Sequence, residues 1–84
     1  MRIYMQSPPA DDQPPRFYQL FLQRDLLGGW SLVRQWGVQG AGGRLQRDTF
    51  ADWDSALEAL MQARDRQLAR GYRVVFAESP QRSG

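Results

Sequence analysis

Histidine, cysteine and lysine are all missing from this chain of 84 residues. Without cysteine there is no disulfide framework, no thiolate nucleophile and no cysteine-ligated zinc site, and without histidine the commonest general base and metal ligand is gone. Ser31, Thr49 and Ser55 therefore have no imidazole to activate them. Asp48, Asp52 and Asp54 lie close in sequence, but Asp52 is better placed as a helix cap, and no pattern pairs carboxylates across a cleft. No catalytic residue, metal site or cofactor is expected. Long apolar runs are missing too. Ile3, Tyr4 and Met5 are too few for a signal peptide, and no stretch is long enough to cross a bilayer, so a cytoplasmic location without a membrane partner is expected.

What remains is a mildly basic composition, with a net charge of +2 and arginine as the only cation. Between Arg16 and Phe50, arginines 16, 24, 34, 44 and 47 face only Asp25 and Asp48, whereas the segment 52–70 carries four acids and three arginines. Positive charge thus collects where a phosphate backbone can use it, although an all-arginine set is equally the mark of genome composition.

Hydrophobic periodicity divides the chain into elements. Ile3–Met5 is a short strand, and the segment 7–15, with four prolines, is a linker or a surface loop. Residues 17–23 alternate, with Tyr18, Leu20 and Leu22 on one side. Asp25 to Gly29 forms a turn into a returning strand, 30–36, whose Trp30, Leu32, Arg34 and Trp36 share a face. A third strand spans 44–50. Asp52 is positioned to cap a helix whose Trp53, Ala56, Leu57, Leu60, Ala63 and Leu68 form an apolar stripe, with Gly71 as its left-handed stop. The segment 72–78 is a last strand, and 79–84 is a flexible tail. The expected fold is α+β: a small antiparallel sheet of four to five strands with one helix on one face. Residues 1–15 are read as an N-terminal strand and linker, and 16–78 as the domain proper.

The segment Trp36, Gly37, Val38, Gln39, Gly40, Ala41, Gly42, Gly43, Arg44 stands apart. Glycine adds no side chain to a core, so a run this rich in it marks a special loop, one that permits positive φ and close approach to the main chain. It lacks the Lys and Ser/Thr of a phosphate-binding P-loop.

The spacing Trp36, Gly37, Gly40, Gly43, Arg44, with Phe17 and Tyr18 opening the first strand of the meander and Trp30, Phe50, Ala56, Gly71 and Tyr72 around it, resembles the WGR domain. The likeness covers about 16–72 and suggests a small stand-alone, bacterial-type member. In poly(ADP-ribose) polymerases such domains contact DNA at strand breaks, the motif Trp packing on a terminal sugar. The resemblance implies that Trp36 is a packing platform and Gly37 a close-approach position. The third motif position is Val38, not arginine, so that contact is missing or is supplied by Arg34, Arg44 or Arg47. The candidate nucleic-acid contacts are Trp36, Gly37, Arg34, Gln39, Arg44 and Arg47, with DNA the favoured partner.

Plainer readings stand beside these. Trp36 either stacks on a ligand or caps the core beside Trp30, and Trp53 belongs to the core. Arg44 and Arg47 are phosphate contacts sharing one face of a regular strand, or edge charges that block aggregation. Arg34 snorkels out, stacks on a tryptophan or lines a site. The alternative function is a protein-interaction or scaffold module using the same loop and the Leu26–Leu27 turn, two leucines that are exposed or fold back over the sheet. Oligomeric state is left open.

Overall fold

The computed structural model describes residues 1–8 and 12–78. Five strands, β1 (Arg2–Gln6), β2 (Arg16–Arg24), β3 (Trp30–Val38), β4 (Gly43–Phe50) and β5 (Arg73–Glu78), and one helix, α1 (Trp53–Ala69), follow one another with α1 between β4 and β5. The strands form one antiparallel sheet in the order β4-β3-β2-β1-β5. The expected α+β fold is therefore found, with five strands.

This order explains where the helix lies. The chain leaves β4 at one edge and must rejoin the sheet as β5 at the other, so the connection crosses a face. α1 makes that crossing over β2, β3 and β4. Its N-terminus is set by Asp52, whose carboxylate accepts from the Ser55 N–H at 2.8 Å, filling one of the donors left free in a first turn. Its end is set by Gly71 at φ 96°, a conformation that costs other residues about 1–2 kcal/mol. The Gly71 and Tyr72 amides close onto the carbonyls of Leu68 and Gln67.

The core is the layer between α1 and the sheet: Ile3 and Met5 from β1, Tyr18, Leu20 and Leu22 from β2, Leu32 from β3, and Ala56, Leu60 and Ala63 from α1. β1, set apart in sequence by the proline-rich segment, is thus an inner strand between β2 and β5. Trp53 packs edge-on against Trp30, ring centroids 4.7 Å apart, as a core residue. The stripe on α1 departs from expectation at its end. Ala56, Leu60 and Ala63 are continued by Gln67, 7% exposed, while Leu68 is 43% exposed. The physical reason is helical spacing: steps of four, three and four residues keep one face, and position 68 lies about 100° beyond it.

The Leu26–Leu27 turn does not fold back. Leu26 and Leu27 are fully solvent-exposed, because the turn is held away from the sheet by Asp25, which accepts from the Leu27 N–H at 3.0 Å and from the Ser31 hydroxyl at 2.9 Å. These two bonds hold the Asp25 carboxyl below its ordinary pKa, the Leu27 amide contributing most and the Arg47 charge least. The expected tail, 79–84, lies outside the described residues, as do residues 9–11 of the proline-rich segment.

Candidate nucleic-acid interface

The glycine segment is mostly strand. Trp36, Gly37 and Val38 end β3, Gly43 and Arg44 begin β4, and only residues 39–42 connect them. Gly40 and Gly42 take positive φ in the turn. Gly37 serves a different purpose. It pairs directly with Gly43, and a Cβ on Gly37 would stand 2.6 Å from the Gly42 carbonyl oxygen and 2.8 Å from the Gly43 Cα. The close approach at Gly37 is made by the chain itself.

Trp36 sits between Tyr18 on β2 and Arg44 on β4. Its indole stacks on the Tyr18 ring at 5.9 Å and 18°, and Tyr18 meets Tyr72 edge-on at 6.4 Å. One side of Trp36 is therefore committed to the core, and the residue as a whole stays half-buried. The two readings of Trp36 coexist in one side chain.

Arg34 follows on the same face. Its guanidinium Nη2 donates to Asp48 Oδ2 at 3.0 Å, and its buried Nε has no partner among the described residues. Of the three fates open to Arg34 it takes the last, lining a site, tied down by a carboxylate on the neighbouring strand two residues from its cross-strand partner. The arginine that stacks on a tryptophan is Arg24, whose guanidinium lies 5.0 Å from the centre of the Trp30 ring.

Beside Arg34 runs a groove of about 430 Å³ between the sheet and the last turns of α1, lined by Tyr18, Arg34, Arg66, Gln67, Ala69 and Arg70. Arg66 and Arg70 were not singled out from sequence except as cations near the helix end. The usable signal was their spacing of four around stripe position 67, which puts both on the rim of the buried face. The Gln67 Oε1 is buried without a partner among the described residues.

The strand arrangement also divides the predicted contacts. Arg44 faces the helix side, opposite Trp36, and is exposed. Arg47, three residues on, points to the other side of the sheet, because side chains alternate along a regular strand. The expectation that a regular strand brings Arg44 and Arg47 to one face is corrected on that ground. Arg47 instead borders the hollow beside Asp25, Leu26 and Leu27. Gln39 also lies on the other side, its amide donating to the Tyr4 hydroxyl at 2.6 Å. Of the six candidates, Arg34, Trp36 and Arg44 share the helix face of β3 and β4, and Arg66 and Arg70 line the groove beside Arg34.

Tertiary structure gathers several arginines at one end of the sheet. Arg16 opens β2, Arg44 is the second residue of β4, Arg73 opens β5, Arg66 lies in the last turn of α1 and Arg70 caps it, all towards the Trp36 end. Asp25, Asp52, Asp54 and Glu78 lie towards the opposite end, with the Leu26–Leu27 turn and the start of α1, and there Arg2, Arg24 and Arg47 stand among them. Among the described residues no helix is long and apolar enough to cross a membrane. The family model of the WGR domain matches residues 1–78, taking in β1 and β5 as well as the glycine segment. No curated protein and no solved structure matches the chain. The match across all five strands and the helix shows that this chain belongs to the WGR domain family.

Proposed function

We propose that the chain is a nucleic-acid-binding module, DNA being the favoured partner, that works through the Trp36 end of the sheet. The observation that carries this reading is the groove lined by Arg34, Arg66 and Arg70, at the same end of the sheet as the half-exposed Trp36 and the exposed Arg44. Guanidinium groups on a groove rim suit phosphate oxygens, and a half-exposed indole suits a sugar or base face. WGR domains are small binding modules without catalytic machinery of their own, and no catalytic constellation is proposed here. Val38 occupies the third motif position, and in this reading the positive charge it lacks is supplied by Arg44 from the neighbouring strand and by Arg66 and Arg70 from the helix. Such contacts position a backbone without reading sequence, so binding is expected to be salt-sensitive and sequence-tolerant.

The test is fluorescence anisotropy with single-stranded, blunt duplex and 5′-phosphorylated nicked DNA, at low and at physiological salt. The wild type is compared with Trp36→Ala, checked for folding by circular dichroism, and with Arg66→Gln/Arg70→Gln. Binding that is lost in folded variants supports the reading. Absence of binding to all three substrates at low salt refutes it.

A second reading is favoured by one specific observation: two fully exposed leucines, Leu26 and Leu27, on a turn fixed by Asp25. Large apolar side chains presented rigidly to solvent suit insertion into a pocket of a protein partner. In that reading Leu26→Ser/Leu27→Ser abolishes partner binding and leaves DNA binding unchanged.

A further inference from the structure

The face of the sheet away from α1 carries Tyr4, Phe17, Gln19, Phe21, Gln35 and Phe76, and among the described residues no helix lies on it. At its Trp36 end this face is built in an unusual way. Phe17 pairs across to Gly37, and Gly37 pairs in turn with Gly43. The Phe17 Cζ lies 3.1 Å from where a Gly43 Cβ would stand. To reach β4 from β2, two strand spacings of about 4.8 Å away, the ring has to lie across the bare backbone of Gly37. The Tyr4 ring is parallel to it within 8°, centroids 6.2 Å apart, and is held by the bond from Gln39 to its hydroxyl. The glycines therefore create a floor of two parallel rings.

Around this floor stand three glutamine amides. Tyr4, Phe17, Gln19, Gln35, Gln39 and Gly40 line a shallow depression of about 350 Å³ that is widely open to solvent. None of these side chains is charged. Gln19 and Gln35 are direct cross-strand partners, half-buried, and neither makes a side-chain hydrogen bond to another described residue. Each amide offers two donors and an acceptor with two lone pairs. An apolar partner pressed onto this site would leave those groups buried and unpaired, which is costly. A charged ligand finds no counter-charge in the lining. The fitting occupant is flat, neutral and edged with donors and acceptors.

We infer that this depression is a binding site for an unpaired nucleobase, stacked on Tyr4 and Phe17 and bonded at its edge by Gln19 and Gln35. Unpaired bases are taken up in this way, by aromatic faces with polar groups around their edges. The base comes from a strand, which rests on the nucleic-acid reading above, or from a free nucleoside. The site lies behind the sheet from Trp36, and the two are separated by the thickness of the sheet at the same end. A strand held by the arginines on one side reaches the other by passing the 39–42 turn.

Two experiments separate the sources and the failures. In the first, anisotropy compares dT and dA octamers with an abasic octamer of equal charge, for the wild type, Phe17→Leu and Gln35→Ala. Base-bearing strands are expected to bind about five-fold tighter or better than the abasic strand, and the preference is expected to vanish in either variant. Gln35→Ala, on an uncovered face, keeps the test valid if Phe17→Leu unfolds. In the second, ¹⁵N–¹H spectra follow the side-chain amides of Gln19, Gln35 and Gln39 during titration with adenosine and thymidine. Equal binding of abasic and base-bearing strands, with no amide shifts, overturns the site and leaves the nucleic-acid reading standing. Amide shifts with nucleosides but no strand binding support the site while removing that reading. Neither signal refutes both.

Discussion

Removing Arg66 and Arg70 together should change how DNA binding responds to salt, by an amount that follows from the groove. Arg66 and Arg70 are exposed on its rim and Arg44 is exposed at the same end of the sheet, whereas Arg34 is already neutralised by Asp48 at 3.0 Å and so has little charge to give a phosphate. Three phosphate contacts to duplex DNA correspond to a slope of log affinity against log salt of about −2.7, at about −0.9 per contact. A rise from about 50 to about 200 mM salt then weakens wild-type binding roughly 40-fold. With Arg66→Gln/Arg70→Gln one contact is left, the slope falls to about −0.9, and the same rise costs only about 3.5-fold. Both residues are exposed and outside the core, so the variant should melt within a few degrees of wild type. Anisotropy across a NaCl series, with melting followed by circular dichroism, makes the measurement. A folded double variant whose slope equals that of wild type would show that these arginines do not touch phosphate, and the assignment of the groove would be wrong.

Other predictions concern the scaffold. Gly37→Ala forces a methyl group into the backbone of Gly42 and Gly43 and should destabilise the fold by about 1–3 kcal/mol; Gly40→Ala meets open space but holds φ at +83°, costing about 1–2 kcal/mol, and asparagine at 40 should recover part of that loss while asparagine at 37 recovers none. Thermal melts of the four variants check this. Leu60→Ala, at a fully buried position, should cost about 2–5 kcal/mol by urea titration, and a loss under about 1 kcal/mol would mean that α1 is not docked as described. Asp25 and Asp52 both have pKa values lowered from the ordinary value of 3.8, chiefly by the backbone amides of Leu27 and Ser55. The stability they contribute is present above that ordinary value and is lost as pH falls through the lowered ones. Melting temperature should thus drop below about pH 4, and Asp25→Asn/Asp52→Asn, which keeps side-chain oxygens able to accept the same amides, should show a shallower drop.

The elements were legible because local chemistry agrees with the fold. Alternation along 17–23 and 30–36, Asp52 before an apolar stripe and Gly71 after it mark strands, helix start and helix stop without reference to anything distant. The glycine segment was equally legible as exceptional, but its purpose was not. Gly37 is glycine because Gly42 and Gly43 lie against it and because the phenylalanine on the neighbouring strand, Phe17, needs its bare backbone. Neither relation exists until the strands pair. The exposed leucines were visible as a pair, yet whether they turned inward depended on how Asp25 and Ser31 held the turn.

The sequence by itself determined the α+β order, the helix and its caps, the shared face of Trp30, Leu32, Arg34 and Trp36, and the family likeness, since each depends on residues near one another along the chain. Tertiary structure alone decided which charges work together. Arg44 and Arg47 are near neighbours in sequence and opposite in space, because a strand turns its side chains over at every residue. Arg44, Arg66 and Arg70 are distant in sequence and gather at one end, because the return of the chain from one sheet edge to the other lays the end of α1 beside β3.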